Sequence, residues 1–183
     1  MTPLKPCVIW LTGYSGAGKS TIASALEQQL LTLGLEPKML DGDVVRSNVS
    51  RDLSFNKKDR AENIRRVGDL AYQHLQAGHI VICAFISPFR HNRNLVRQKF
   101  NANDFIEVFV DTPLAMCEQR DVKGLYKKSR AGIIKDFTGI DSPYEKPLDA
   151  EIHLKISEHG SAEKSAEQVV NYLLNRISRQ SSN

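Results

Sequence analysis

The stretch 11-LTGYSGAGKSTIA-23 decides how this chain folds. Its central eight residues, Gly13 to Ser20, have the spacing G-x-x-x-x-G-K-[ST], and the apolar run VIWL at 8–11 precedes them. Glycines let successive backbone N–H groups point at phosphate oxygens, while Lys19 reaches the β- and γ-phosphates and the Ser20 hydroxyl can bind magnesium. The alternative is a glycine-rich turn between a strand and a helix that binds no ligand.

This motif predicts that the chain binds a nucleoside triphosphate. A helix that begins near Gly18 would add the positive end of its dipole to the phosphate site. The loop and the first helical turn supply the predicted nucleotide-binding residues, which are Gly13, Ser15, Gly16, Ala17, Gly18, Lys19, Ser20 and Thr21.

The bulk composition indicates one globular domain that spans residues 1–183, since 41% of the residues are hydrophobic and 25% are charged. The net charge of +4 suits anionic ligands, but the basic residues are interspersed with acidic ones, so the sequence does not predict a nucleic-acid polymer as a partner. Cys7, Cys83 and Cys117 are too far apart for a zinc site and are expected to be buried free thiols. With no long apolar segment, we expect a cytoplasmic protein that does not enter a membrane.

Short apolar runs alternate with amphipathic stretches, the rhythm of a parallel α/β sheet. The predicted strands are Cys7–Thr12, Pro37–Leu40, His79–Ala84, Phe105–Val110 and Glu151–Ile156. The predicted helices are Lys19–Leu33, Asp59–Ala77, Asn92–Phe100, Pro113–Arg120 and Ala162–Ser178. The segment 121–147 is long for a loop and is expected to act as a lid, and the tail 178–183 is expected to fray.

In an open parallel sheet, ligands bind beyond the carboxyl ends of the strands. The second strand leads to Asp41-Gly42-Asp43, followed by Arg46. Two carboxylates at such a position can hold magnesium and orient or deprotonate an attacking hydroxyl. The alternative is an acidic turn that caps the next helix.

Candidate anion-binding residues also lie at the start of the helix 59–77. Asp59 and Glu62 have the spacing of a capping box, so Asp59 is expected to cap the helix. Arg60 and Asn63 fall one turn apart at this helix start, where an anion is favoured. A surface salt bridge is the alternative for Arg60.

Further candidates follow the third and fourth strands. Ser87, in the turn Ser87-Pro88, is expected either to cap the turn or to contact substrate. Arg120 is expected either to stack on a purine or to neutralise phosphate charge. The cations of the long loop can close over a triphosphate, the alternative being a solvated basic loop; they are Lys123, Lys127, Lys128 and Arg130. Phe55 and Phe137 are either core anchors or base-stacking platforms.

Taken together, several segments closely resemble the adenylylsulfate kinase family. The resemblance spans nearly the whole chain and rests on Gly13–Thr21, on Asp41-Gly42-Asp43 with Arg46, and on 59-DRAENIRRVG-68, 84-AFISPFR-90, 106-IEVFVDTP-113, 124-GLYKKSRAG-132 and 136-DFTGIDSPYE-145. It implies a three-layer α/β P-loop kinase fold with a central five-stranded parallel sheet, similar to nucleoside monophosphate kinases. It also implies a homodimer that phosphorylates the 3′-hydroxyl of adenosine 5′-phosphosulfate with ATP and Mg²⁺.

The resemblance assigns a role to each candidate residue. It implies Ser20 and Asp41 as metal ligands and Asp43 as the group that orients or deprotonates the 3′-hydroxyl. The sulfonucleotide would be bound by Asp41, Asp43, Arg46, Phe55, Arg60, Asn63, Ile86, Ser87, Lys127 and Phe137, with the two phenylalanines on either side of its adenine. Arg120 would face the adenine of ATP. Ser87 lies where the family has a serine described as a phosphoserine intermediate, but in-line transfer needs no enzyme nucleophile, which favours a binding role.

Two rival functions remain open. The chain could be a P-loop kinase of another small metabolite, such as a sugar acid or a nucleoside monophosphate. It could also be an ATP-binding regulatory domain, against which the presence of Lys19, Ser20 and Asp43 argues.

Overall fold

The structure is a computed structural model that describes residues 4–54, 56–157 and 159–180, apart from the side chains of residues 43, 46, 47 and 177–180. Along the chain the elements are β1 (Val8–Thr12), α1 (Lys19–Thr32), β2 (Lys38–Asp41), α2 (Gly42–Asn48), α3 (Lys57–Gln76), β3 (Val81–Ala84), α4 (Arg90–Arg97), β4 (Phe105–Asp111), α5 (Leu114–Arg120), α6 (Leu125–Arg130), β5 (Ile152–Lys155) and α7 (Ala162–Gln180). All five predicted strands are present, with ends that differ by no more than two residues from the prediction.

The five strands form one parallel sheet in the order β2-β3-β1-β4-β5. The strand β1 lies in the middle and is buried along its whole length, as its unbroken apolar sequence requires. Helices α1 and α7 cover one face of the sheet, and α3 and α4 cover the other. The predicted three-layer α/β fold is therefore confirmed, and the carboxyl ends of the strands all lie at one edge.

The loop between β1 and α1 has a backbone that tolerates little change. A Cβ atom on Gly13 would come within 2.7 Å of the Val110 carbonyl oxygen on the neighbouring strand. Gly16 has a φ of 73°, in the left-handed region that favours glycine, and a Cβ there would lie 3.2 Å from the Cys117 carbonyl oxygen. The two glycines thus bring the loop close to the strand-end side of the sheet.

The start of α3 differs from the prediction. The helix begins at Lys57, and Asn56 is its N-cap, with Oδ1 accepting a hydrogen bond of 2.9 Å from the Asp59 N–H. The Asp59 carboxylate instead accepts from the Ser54 N–H and hydroxyl, at 2.9 and 2.6 Å. The predicted capping role of Asp59 is wrong because Asn56, three residues earlier, already satisfies the first turn.

The bounds of other helices also differ from the prediction. Helix α4 runs over Arg90–Arg97 rather than Asn92–Phe100, and α1 ends at Thr32, with Leu33 as its C-cap, 45% exposed. The segment after Asp41 forms the helix α2, and the long loop 121–147 contains the helix α6. Both helices are shorter than eight residues, which is too short for the apolar periodicity that reveals longer ones.

The buried face of α3 contains Ile64, Val67, Gly68, Ala71 and Leu75. The three cysteines are buried free thiols, as predicted.

Candidate active site

A cavity of about 830 Å³ lies at the carboxyl ends of the strands. Its wall combines the glycine-rich loop, the end of β2, the start of α3, the turn after β3 and the 120–138 segment. Of the predicted site residues, the cavity wall contains Ser15, Gly16, Gly18, Lys19, Ser20, Thr21, Asp41, Arg60, Asn63, Ile86, Ser87, Arg120 and Phe137. Gly13 and Ala17 belong to the same loop but do not line the cavity.

Lys19 stands at the start of α1 with its side chain folded over the loop. It is 8% exposed, and its Nζ donates hydrogen bonds of 3.0 Å to the Gly13 carbonyl and 2.6 Å to the Tyr14 carbonyl. A buried ammonium needs such partners because transfer out of water penalises an uncompensated charge. The contacts hold the cation at the phosphate-binding loop.

Ser20 and Asp41 bring the loop and the second strand together. The Ser20 hydroxyl donates a hydrogen bond of 2.7 Å to the Asp41 Oδ2, and Asp41 is the last residue of β2. A hydroxyl and a carboxylate are the oxygen ligands that magnesium prefers. These two side chains have the chemistry of a magnesium site, and their predicted role as metal ligands stays a prediction.

Arg60 lies in the first turn of α3 and reaches across the cavity to the long loop. Its Nη1 and Nη2 atoms donate to the hydroxyls of Thr138 and Ser142, each at 3.0 Å, and its guanidinium stands 5.4 Å from the ring centroid of Phe89. Burial lowers the pKa of Arg60, and the nearby Asp136 and Asp141 act in the opposite direction. Among the described residues, Arg60 therefore does not form the surface salt bridge that was its alternative.

Two polar atoms next to this contact have no hydrogen-bond partner. Four buried side-chain polar atoms lack a partner in the described part of the chain, and two of them are the Arg60 Nε and the Asn63 Oδ1. An unsatisfied buried polar group is costly and calls for an explanation, such as a ligand. Because both residues line the cavity, a polar ligand held there would satisfy them.

Ser87 is tied into a network of buried hydrogen bonds. Its hydroxyl accepts from the Trp10 Nε1 at 3.1 Å and donates to the Thr12 hydroxyl at 3.0 Å, which in turn donates to the Ile86 carbonyl at 2.8 Å. Ser87 is 2% exposed and has a φ of 39°, a strained value for a residue other than glycine. The network fixes the turn at the cavity wall and holds the hydroxyl in contact with protein groups.

The 120–138 segment closes one side of the cavity. Phe137 is half-buried, and its ring meets that of Tyr126 edge-on, with centroids 5.0 Å apart. Arg120 is exposed at the cavity wall, whereas Lys127, also exposed, does not reach this wall in the described residues. Lys123 and Lys135 are the lysines of the segment that line it.

Three of the predicted substrate-binding residues cannot be placed by their side chains. Phe55 lies outside the described residues, and so do the side chains of Asp43 and Arg46, whose backbone belongs to α2. Their assigned roles stay predictions.

Sequence reasoning missed Tyr126 and Arg93. The Tyr126 hydroxyl donates to the Ser15 carbonyl at 2.8 Å, and burial raises the pKa of Tyr126, which keeps the phenol protonated as a donor. Arg93, 2% exposed, donates to the Glu107 carboxylate at 2.6 Å and to the Ser87 carbonyl at 2.6 Å. An aromatic residue within the basic run 123–130 could have indicated Tyr126, but no local pattern reveals a buried ion pair between distant residues.

The chain matches the model of the adenylylsulphate kinase family over residues 5–155. An adenylyl-sulfate kinase of Aeromonas salmonicida is 61% identical over 150 residues, which are 82% of this chain and 76% of that protein. A chloroplastic adenylyl-sulfate kinase of Arabidopsis thaliana is 55% identical over 94% of this chain and 62% of its own length. A bifunctional enzyme CysN/CysC of Xylella fastidiosa is 55% identical, but this chain spans only 27% of its length.

The solved structures similar to this chain include an APS kinase. The APS kinase CysC of Mycobacterium tuberculosis, in complex with AMPPNP and APS, has a TM-score of 0.87 and 43% identity, covering 93% of this chain and 99% of that one. A shikimate kinase of Acinetobacter baumannii shares the fold, with a TM-score of 0.60 at 18% identity. Separately, none of the helices within the described residues is both long and apolar enough to cross a membrane.

Proposed function

The chain belongs to the adenylylsulfate kinase family, which phosphorylates adenosine 5′-phosphosulfate with ATP, and we propose that its cavity carries out this reaction by in-line transfer to the 3′-hydroxyl. The products are ADP and 3′-phosphoadenylylsulfate. One observation carries the proposal: a single cavity has the triphosphate-binding loop on one wall and, on another, two buried polar atoms without a partner among the described residues, the Arg60 Nε donor and the Asn63 Oδ1 acceptor.

The donor half of the site consists of the glycine-rich loop and Lys19. Backbone N–H groups of the loop would bind the phosphates of ATP, and the Lys19 ammonium would neutralise charge on the transferring phosphoryl group. Phosphoryl transfer needs positioning and charge stabilisation more than covalent help from the protein. Arg120, exposed at the cavity wall, would face the adenine of ATP.

Ser20 and Asp41 would hold Mg²⁺. When bound, the ion neutralises phosphate charge. Asp41→Asn should raise the Mg²⁺ concentration needed for half-maximal activity by about 10-fold or more, and an unchanged requirement would remove Asp41 from the metal site.

The acceptor half would begin at the start of α3. Arg60 and Asn63 would bind the phosphosulfate end, and the half-buried Phe137 ring would pack on the substrate adenine beside Ile86. We keep Arg46 and Phe55 in this half, and Asp43 as the group that orients the 3′-hydroxyl and accepts its proton, on the family resemblance. The hydrogen bonds of Ser87 support a role in shaping this wall.

The segment 121–147 would act as the lid over the two nucleotides. Lys123 is at the cavity wall in this conformation, and Lys127 would have to move to reach a phosphate. We also propose, on the resemblance alone, a homodimer in the cytoplasm.

An acceptor panel tests the proposed function. ADP release is measured with adenosine 5′-phosphosulfate, its 3′-deoxy analogue, AMP, shikimate and gluconate. We expect turnover with the first compound and none with the 3′-deoxy analogue, because the attacking oxygen is missing. Turnover with another acceptor and none with adenosine 5′-phosphosulfate would overturn the proposal, and tight binding of both nucleotides without product would indicate a regulatory domain.

A further inference from the structure

Tyr126 contacts both halves of the cavity. Its hydroxyl contacts the glycine-rich loop, where ATP would bind, and its ring contacts Phe137, where the sulfonucleotide would bind. Its hydroxyl donates a hydrogen bond of 2.8 Å to the carbonyl of Ser15 in the glycine-rich loop. Its ring meets the ring of Phe137 edge-on, at 5.0 Å between centroids and 84° between planes. At 2% exposure the side chain is fixed between the two.

The contact with Ser15 sets the direction of a loop amide. A trans peptide unit points its carbonyl and its N–H in opposite directions, and the described residues contain no cis peptide bond. Anchoring the Ser15 carbonyl on Tyr126 therefore fixes where the Gly16 N–H points. Gly16 lines the cavity, so this amide is one of those available to a phosphate.

The contact with Phe137 sets the position of an aromatic ring. The backbone of Phe137 is held by the Asp141 carboxylate, which accepts from the N–H groups of Asp136 and Phe137 at 2.7 and 2.5 Å. That clamp fixes the backbone but leaves the ring to rotate about its side-chain bonds. The edge-on contact with Tyr126 restrains the ring, and this is a favoured geometry for two aromatic rings.

Tyr126 is itself held in place by Asp121. The two carboxylate oxygens of Asp121 accept hydrogen bonds of 2.9 Å each, one from the Tyr126 N–H and one from the Lys127 N–H. The first turn of α6 is therefore tied to the end of α5, and the phenol is presented to the loop by a braced backbone.

We propose that Tyr126 is a positioning residue that orders the phosphate-binding loop through its hydroxyl and the acceptor-stacking ring of Phe137 through its own ring. The inference rests on the proposed function, because it takes the Phe137 ring as the acceptor's stacking surface. It predicts that the Tyr126 hydroxyl affects the affinity for ATP and that the Tyr126 ring affects the affinity for the sulfonucleotide.

The two effects can be measured separately by titration calorimetry, which gives the Kd for AMPPNP and the Kd for adenosine 5′-phosphosulfate, each ligand alone. Tyr126→Phe keeps the ring and loses the hydroxyl, so the Kd for AMPPNP should rise about three- to tenfold while the Kd for the sulfonucleotide stays within about twofold. Tyr126→Leu also loses the ring, so both Kd values should rise by about threefold or more. Tyr72→Phe, a half-exposed tyrosine on the far side of α3, is the matched control and should change neither.

A double-mutant cycle tests whether the ring acts through Phe137. In a Phe137→Leu background, Tyr126→Leu should no longer alter the Kd for the sulfonucleotide beyond about twofold. An equal effect in both backgrounds, or a Kd for AMPPNP unmoved by Tyr126→Phe, would overturn the proposal. Should the leucine variant fail to fold in a thermal melt, Tyr126→Met takes its place in the cycle.

Wild-type turnover separates this inference from the proposed function. If the wild-type protein neither binds nor phosphorylates adenosine 5′-phosphosulfate, the proposed function fails and the acceptor role of Tyr126 fails with it. If the wild-type protein is active but the Tyr126 variants do not change the two Kd values in the expected way, only the proposed role of Tyr126 is wrong.

Discussion

At the scale of single residues, Lys19 is a buried cation that the loop carbonyls hold at the cavity. In a site from which water is excluded, a fixed charge aimed at developing negative charge has a large effect on rate. We expect Lys19→Ala to lower kcat/KM by at least about 10²-fold, measured by coupled ADP release. Lys99→Ala, which removes a lysine paired with Asp69 on the outer surface, should keep wild-type activity. Near-normal turnover of Lys19→Ala would contradict its phosphate role.

Ser87 offers a test between a covalent and a structural role. The hydroxyl is engaged by Trp10 and Thr12, and an enzyme nucleophile is not required for in-line transfer. We expect Ser87→Ala to lower kcat by less than about tenfold, the scale of a lost hydrogen bond. A fall of more than about 10³-fold, with the fold intact by circular dichroism, is what the loss of a nucleophile would cause and would restore the covalent route.

At the scale of secondary-structure elements, the N-cap of α3 positions the acceptor residues. Asn56 caps the turn that carries Arg60, and Asn63 follows one turn later. Asn56→Ala should lower the free energy of unfolding by about 0.5–2 kcal/mol and also raise the KM for adenosine 5′-phosphosulfate, because the first turn frays. Urea denaturation and initial-rate kinetics measure the two effects.

Helix α7 provides the matched control for this cap. The Ser161 hydroxyl accepts from the Lys164 N–H at 3.1 Å at the start of α7, which packs on α1 away from the cavity. Ser161→Ala should cost similar stability and leave the KM unchanged. If both variants changed the KM equally, the effect would come from general instability rather than from the start of α3.

The strands and the donor loop could be predicted from sequence because their signals are local. The strands β1, β3 and β4 are apolar runs buried over nearly their whole length, and the spacing from Gly13 to Ser20 identifies the loop. The start of α3 was mispredicted because Asn56 and Asp59 are both good caps, and the Asp59 carboxylate is taken up by hydrogen bonds from Ser54, five residues earlier. Tyr126 binds Ser15 across 111 residues of sequence and Arg93 pairs with Glu107 across 14, and such pairings depend on the folded sheet rather than on local spacing.

At the scale of the whole molecule, a network of buried and partly buried charges joins helix α4 to β4 and to Glu151, the residue before β5. Arg93, 2% exposed, pairs with Glu107 on β4, and Arg97 bridges Glu107 and Glu151, with 2.6 Å between its Nη1 and the Glu151 Oε1. The Glu151 Oε2 also accepts from the Glu107 N–H at 2.7 Å. Buried charges persist only when they are paired and hydrogen-bonded, so loss of one member should destabilise the others.

The same network makes stability depend on pH in a defined direction. Burial by itself would raise the pKa of Glu151, but the hydrogen bonds from Arg97 and from the Glu107 N–H outweigh it, and the net result is a pKa below its ordinary value of 4.5. A carboxyl group whose pKa is lower in the folded state stabilises the fold above the unfolded pKa, and this contribution is lost as the pH falls through the folded pKa. The unfolding free energy of the wild-type protein should therefore decline as the pH is lowered from about 5 towards 3.

Glu151→Gln tests the contribution of this single carboxylate to the pH dependence. The amide keeps the shape of the side chain but does not titrate, so the variant should be less stable than wild type at pH 7 and should lose less stability on acidification. Urea denaturation between pH 7 and pH 3 measures both, with Glu36→Gln, at an exposed position before β2, as the control that should follow the wild-type curve. A variant whose stability falls with pH as steeply as that of the wild type would show that other carboxylates cause the acid sensitivity, and that the link between α4 and the edge of the sheet does not depend on the charge of Glu151.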